Sequence, residues 1–292
     1  MTVVLDARLA VDAGAELGEG PVWDARTRDV YFVDIMRGTV HAFSPGTERL
    51  ATYHVGQPVG AVGLAARGLV LAVRDGFARL DPESGAVRLI AEVDRDRMDL
   101  RMNDGACDPA GRFWAGTMAL DERQGAGALY RLDPDGSVHL ALQPVTISNG
   151  LDWSADGTRM YFIDSPTGRV DVFDFDAATG RLANRRPFLR IAPEAGLPDG
   201  LTVDADDHVW VALWGGGAVN RYAPDGSLAA VVRLPVTHPT SCCFGGGDLR
   251  DLYITTAWIA LDSAARTVQP HAGGVFVCRP GVAGRPANRF AG

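Results

Sequence analysis

Short apolar runs rich in Val, Tyr, Phe and Trp recur along the chain, separated by glycine and proline turns. Each run opens with a glycine. Gly20-Pro-Val-Trp23 leads into Val30-Tyr-Phe-Val-Asp34, and Gly63-Leu-Ala65 leads into Leu69-Val-Leu-Ala-Val73. Gly105, Gly150 and Gly200 precede Arg112-Phe-Trp-Ala115, Met160-Tyr-Phe-Ile-Asp164 and His208-Val-Trp-Val-Ala212. Gly245 precedes Asp251-Leu-Tyr-Ile-Thr255. The spacings between these glycines are 43, 42, 45, 50 and 45 residues. The runs have the β-branched and aromatic bias of pleated, half-buried strands. Pro134-Asp-Gly136 and Pro224-Asp-Gly226 punctuate them as turns. A repeat of this length with four short strands is the pattern of a propeller blade. The sequence therefore predicts an all-β fold, a six-bladed β-propeller of four-stranded blades, occupying residues 1–292 as one domain. Val3–Val11 lies before the first repeat and is predicted to close the ring by pairing with the last blade. Glu92–Leu100, dense in Asp and Arg, reads as a loop or lid over one mouth.

Phase within the repeat locates candidate chemistry. If the residue before each leading glycine starts an innermost strand, it faces the central channel. Glu19, Asp104 (with Asn103 beside it), Asn149 and Asp199 hold that phase, with Val62 and Phe244 in the second and sixth units. Carboxylate and amide oxygens converging without Cys or His suit a hard divalent cation. The competing reading is that Asn-Gly and Asp-Gly are simply turn formers. Glu19 resists that reading, because glutamate is no turn former.

Composition narrows the chemistry. All 28 basic residues are arginine, against 36 acidic ones, for a net charge of −8. Without lysine there is no Schiff-base amine, no Walker-type phosphate lysine and no Ser–Lys hydrolase. The acidity argues against a nucleic-acid partner. No run is long and apolar enough for a membrane span, and the charged opening does not read as a secretory leader. Cys107, Cys242, Cys243 and Cys278 form no Cys-x-x-Cys and read as buried thiols of a reducing cytoplasm. The six histidines show no paired ligand spacing, and no Gly-x-Ser-x-Gly occurs.

Several motifs occur together in one order. Leu17-Gly-Glu19-Gly-Pro-Val-Trp23, Arg101-Met-Asn103-Asp-Gly105 and Gly111-Arg-Phe-Trp-Ala-Gly-Thr-Met118 come first. Ser148-Asn149-Gly-Leu-Asp-Trp153, Pro198-Asp199-Gly200 and Ser241-Cys-Cys-Phe-Gly-Gly246 follow. Together they resemble the SMP-30/gluconolactonase/luciferin-regenerating-enzyme family, from about Glu16 to about Pro280. The resemblance implies one divalent metal ion at a propeller mouth, Ca²⁺ or Zn²⁺ first, with Mn²⁺, Mg²⁺ and Fe²⁺ open. It implies hydrolysis of a sugar lactone, a small-molecule partner. Glu19, Asn149 and Asp199 would be the metal ligands, with Asp199 also the general base. Arg101 and Asn103 would hold substrate hydroxyls. An acidic residue after Gly-Thr-Met contacts substrate in some members. Asp121 and Glu122 both qualify, and Asp121 is taken first. Trp214 either packs over a sugar face or fills the interblade core, and His238 stands out because it precedes the Ser241 motif. A phosphotriester or aryl-ester hydrolase using the same metal site, and a non-enzymatic calcium-binding regulatory propeller, are the alternatives. A monomer or weak homo-oligomer is expected, since a closed ring needs no partner to cover its edges.

Overall fold

The computed structural model describes residues 2–292. Six small sheets stand around a central axis. The first contains Gly18–Asp24, Asp29–Asp34, Thr39–Ser44 and Arg49–His54, each antiparallel to the next. Five further sheets repeat this meander. Their innermost strands are Val59–Ala65, Leu100–Cys107, Ser148–Trp153, Leu197–Val203 and Pro239–Gly245. Each innermost strand packs on the next, and the sixth packs on the first, so the ring is closed. The fold is the six-bladed β-propeller that the repeat predicts.

Strand alternation explains why the blades stack. Side chains of one strand face opposite blades in turn, and six apolar clusters fill the six interblade spaces. Trp114 and Trp153, for example, meet edge-to-face at 6.1 Å between the third and fourth blades. Their indoles differ in polar satisfaction: Trp114 donates to Asp108 at 2.9 Å, as Trp210 does to Asp204, whereas the Trp153 indole nitrogen has no partner. These buried aspartates also receive Arg112 and Arg221. Part of the all-arginine complement thus serves planar, donor-rich contacts inside the blades.

Both chain ends depart from the simple repeat. Arg8–Val11 pairs antiparallel with Val275–Cys278 as the outer strand of the sixth blade, closing the ring as expected. Val3–Asp6 does not continue there. It runs parallel to Leu228–Arg233 as a fifth strand on the fifth blade, so the N-terminal segment clasps two blades. Arg289–Phe290 adds a fifth strand to the inner edge of the second blade. The passage leading to it crosses the channel at the mouth where the innermost strands end. Arg285 donates to the carbonyls of Trp153 and Val203, Asn288 to that of Cys107, and Arg289 reaches Asp24. Blades are therefore not uniformly four-stranded, because these two edges accept terminal strands.

All four cysteines are free and buried. Among the described residues, no helix is long and apolar enough to cross a membrane.

Candidate active site

Every innermost strand breaks register near its start. The pairing skips between Glu19 and Val22, Met102 and Gly105, Ser148 and Leu151, and Pro198 and Leu201. Shorter skips fall at Gly60 and Thr240. Bulges re-aim side chains and are frequent beside functional sites. Here they form a ring at one level of the channel. Asn103, Asn149 and Asp199 occupy the first skipped position of their blades, and Glu19 precedes the skip in the first. Asp104 is one step out of phase with Asn149 and Asp199. Val62 and Phe244 do not hold this position either; Gly60 and Thr240 do. Gly150 and Gly200 are required because adjacent innermost strands approach so closely that a Cβ would collide with Leu201 and Ser241.

The bulge residues are anchored from behind. Asp34 ends the second strand of the first blade, and its carboxylate accepts from the amides of Glu16 at 2.8 Å and Leu17 at 3.2 Å. Asp164 does the same in the fourth blade for Thr146 and Ile147. These two buried aspartates fix the backbone just before Glu19 and Asn149. Neighbouring blades are tied together at the same level. Asn103 donates to the Ser148 carbonyl at 2.8 Å, and Ser165 donates to the Pro198 carbonyl at 2.7 Å.

The result is a cavity of about 390 Å³ at one mouth. Glu19, Arg101, Asn103, Asn149 and Asp199 line its floor together, all buried. Asp121 does not join them. It is exposed and bonded to Arg123. Glu122 lines the cavity instead, in a left-handed backbone conformation with φ of 56° that turns its side chain relative to Asp121's. Trp214 also lines the cavity and is stacked on buried His238 at 4.3 Å, so His238 supports a wall without lining it. Glu92–Leu100 contributes no lining residue. Its Asp99 is pinned to Arg123 on the adjacent loop, so the segment borders the mouth and does not cover it.

The floor carries an electrostatic imbalance. Burial pushes the Glu19 carboxyl well up, and the Asp199 and Asp104 carboxylates push it further. Asp199 is raised for the same reasons, by burial and by Asp104. Burial lifts Asp104 to about 6. The compensating charge nearby is Arg101, whose guanidinium is itself brought down to about 10 by burial. Arg101 donates to Asn103 Oδ1 at 2.6 Å and to the Met102 carbonyl at 3.0 Å. Among the described residues it makes no ion pair, so part of its donor fork faces the cavity.

Asn149 shows what the floor can hold. Its Nδ2 donates to Ser165 at 2.9 Å, and its buried Oδ1 has no partner. A buried acceptor left unpaired costs about 1–3 kcal/mol. A buried, unpaired oxygen on a cavity-lining residue, beside two buried carboxylates with raised proton affinity, fits a hard cation, which would offset both costs. No three His, Cys, Asp or Glu side chains cluster among the described residues, so a cation here must draw on the amide.

Comparison with known proteins agrees with this architecture. Residues 17–258 match the SMP-30/gluconolactonase/LRE-like region. Chicken regucalcin is 42% identical over 286 residues, covering 94% of this chain and 95% of its own. YvrE of Bacillus subtilis, named as a candidate sugar lactone lactonase, is 36% identical and covers 99% of both chains. The crystal structure of a calcium-binding regucalcin from Agrobacterium tumefaciens superposes with a TM-score of 0.94 at 30% identity, covering 99% of both chains. The chain belongs to the SMP-30/gluconolactonase/LRE-like family.

Proposed function

We propose that this protein is a divalent-metal-dependent hydrolase that opens a sugar lactone to its aldonic acid. One observation carries the reading: Asn149, whose buried Oδ1 has no partner, and Glu19 and Asp199, with raised carboxyls, line the same cavity as a buried arginine without an ion-pair partner. Glu19, Asn149 and Asp199 would hold the cation. Ca²⁺ is the first choice, since the donors are hard oxygens and relatives are named as calcium-binding; Zn²⁺, Mn²⁺, Mg²⁺ and Fe²⁺ remain to be compared. When bound, such an ion polarises the ester carbonyl and makes water more acidic.

The chain's own groups do the rest. Arg101 directs its free donors at a substrate hydroxyl, positioned by its bonds to Asn103 and Met102. Asn103 holds Arg101 and closes the floor. Glu122 takes the acceptor role toward substrate, because it lines the cavity and Asp121 does not. Asp199, buried in the cavity beside the proposed cation, accepts the proton of the attacking water. The water oxygen bonds to the carbonyl carbon, the ring C–O bond breaks, and the departing alkoxide takes the proton that Asp199 received.

A panel of lactones, run on metal-stripped protein reconstituted with each ion, tests the proposal. Turnover restored by one or more ions and abolished by Asp199→Asn is the expected result. Full lactonase activity in chelator-treated protein would overturn the metal role. Metal binding without turnover of any lactone would favour a calcium-binding, non-enzymatic propeller, and preference for phosphotriesters or aryl esters would reassign the substrate.

A further inference from the structure

Among the described residues, eleven large apolar side chains are exposed, and four of these share the rim of the candidate active site. They are Met36 at 43%, Leu120 at 59%, Leu197 at 47% and Ile259 at 38% exposed. They come from four different blades. Met36 and Leu120 sit on turns that follow second strands, and Ile259 follows Asp251–Thr256. Such connections are surface segments where apolar residues gain nothing from the fold, so their convergence on one mouth has a functional explanation. Met118, Ile147 and the face of Trp214 continue the same apolar wall downward.

The cavity is thus divided. Its floor carries charge and hydrogen-bonding groups. Its upper wall and rim are aliphatic and aromatic, with Glu122 as the polar exception. A bare polyhydroxylated lactone would satisfy the floor and leave hydroxyls against Met36, Leu120, Leu197 and Ile259, which offer them nothing. An amphipathic molecule satisfies both zones.

We propose that the preferred substrate is a lactone bearing an apolar substituent, with the ring ester on the floor and an alkyl or aryl group in the rim collar. This rests on the lactonase reading and goes beyond it, moving the preferred substrate from a sugar lactone to one whose ring carries an apolar group. Each methylene buried in the collar adds about 0.8 kcal/mol, roughly a fourfold gain in kcat/KM.

The test is a series of δ-lactones with substituents from methyl to pentyl on the ring carbon next to the ester oxygen, assayed on metal-reconstituted protein beside gluconolactone. The expected result is a rise of about fourfold per methylene over the first members. Leu120→Ser and Leu197→Ser should each flatten that slope; both side chains are exposed, so the fold should be kept, and circular dichroism checks it. A flat or falling series with measurable turnover overturns this inference and leaves the lactonase reading standing. A slope that survives both substitutions overturns the collar's role. Absence of turnover on every lactone overturns both readings. Sedimentation showing a dimer that either substitution dissociates would assign the collar to a second copy of the chain and overturn the inference.

Discussion

The side-chain nitrogen of Asn149 donates to the hydroxyl of Ser165 at 2.9 Å, and that contact decides which way the amide points. Ser165 has one proton, and it goes to the Pro198 carbonyl at 2.7 Å. It must therefore accept from Asn149, which leaves Oδ1 as the unpartnered end of the amide. The same serine ties the strand of Asn149 to that of Asp199. One hydroxyl thus orients one proposed ligand and sets its spacing from another.

Ser165→Ala should leave the fold intact and loosen the cation site. Removing the hydroxyl strands a buried carbonyl and a buried amide, at about 1–3 kcal/mol each. Metal affinity should fall about 10–100-fold, the usual cost of losing an outer partner of a ligand. Calorimetric titration with Ca²⁺ and Zn²⁺ measures it. Affinity unchanged within twofold would show that Ser165 does not orient the amide.

Asn149→Ala should have the larger effect, because it removes the oxygen itself. The rise in melting temperature that mass action predicts for the parent protein on adding metal should disappear in this variant. A variant that still gains stability from the ion would remove Asn149 from the ligand set.

Arg101→Lys tests the donor fork at constant charge. Lysine cannot reproduce two bonds to Asn103 and Met102 while presenting further planar donors to substrate. Hydrogen bonds to charged groups contribute about 1.5–3 kcal/mol, so kcat/KM should drop roughly 10- to 100-fold. Metal affinity should change little. Equal losses in both would mean that Arg101 shapes the cation site and not the substrate.

Much of this site is visible in the sequence, for a physical reason. Gly150 and Gly200 mark places where innermost strands nearly touch, so glycine spacing reports the level of the bulges, and Asn149 and Asp199 stand beside it. Glycine and bulge part company where the bulge is built differently. In the second and sixth blades it falls at Gly60 and Thr240, upstream of Gly63 and Gly245, so Val62 and Phe244 are out of phase. Asp104 is one position off because Gly105 follows the skip in the third blade, whereas Gly150 and Gly200 fill its second position, so Asn103 comes first. Whether Asp121 or Glu122 enters the cavity depends on a left-handed residue that no local pattern announces. The passage across the far mouth was equally hidden. Arg285-Pro-Ala-Asn-Arg-Phe290 has no strand periodicity, and it is ordered by side-chain bonds to carbonyls from distant blades.

Two carboxyls of the floor, Glu19 and Asp199, and Asp104 buried behind it also predict how stability should vary with pH. Glu19, Asp104 and Asp199 all hold protons more tightly in the folded protein than in the unfolded chain. At neutral pH the folded state therefore binds more protons, and stability must fall as pH rises. For Asp104 the stabilisation is fully present below the unfolded value near 4 and is lost as pH passes through about 6. Glu19 and Asp199 extend the loss upward. His41 and His238 work in the opposite sense, since burial lowers both and their neutral forms favour folding as pH rises toward the ordinary histidine value. A single melting curve would mix these trends. The difference between metal-loaded and chelated protein isolates the floor, because a bound cation keeps its carboxylates ionised and displaces their protons. The melting-temperature gain on adding metal should therefore grow steadily from pH 5 to pH 8, with proton release on binding. A gain independent of pH would mean that the ion binds away from Glu19 and Asp199.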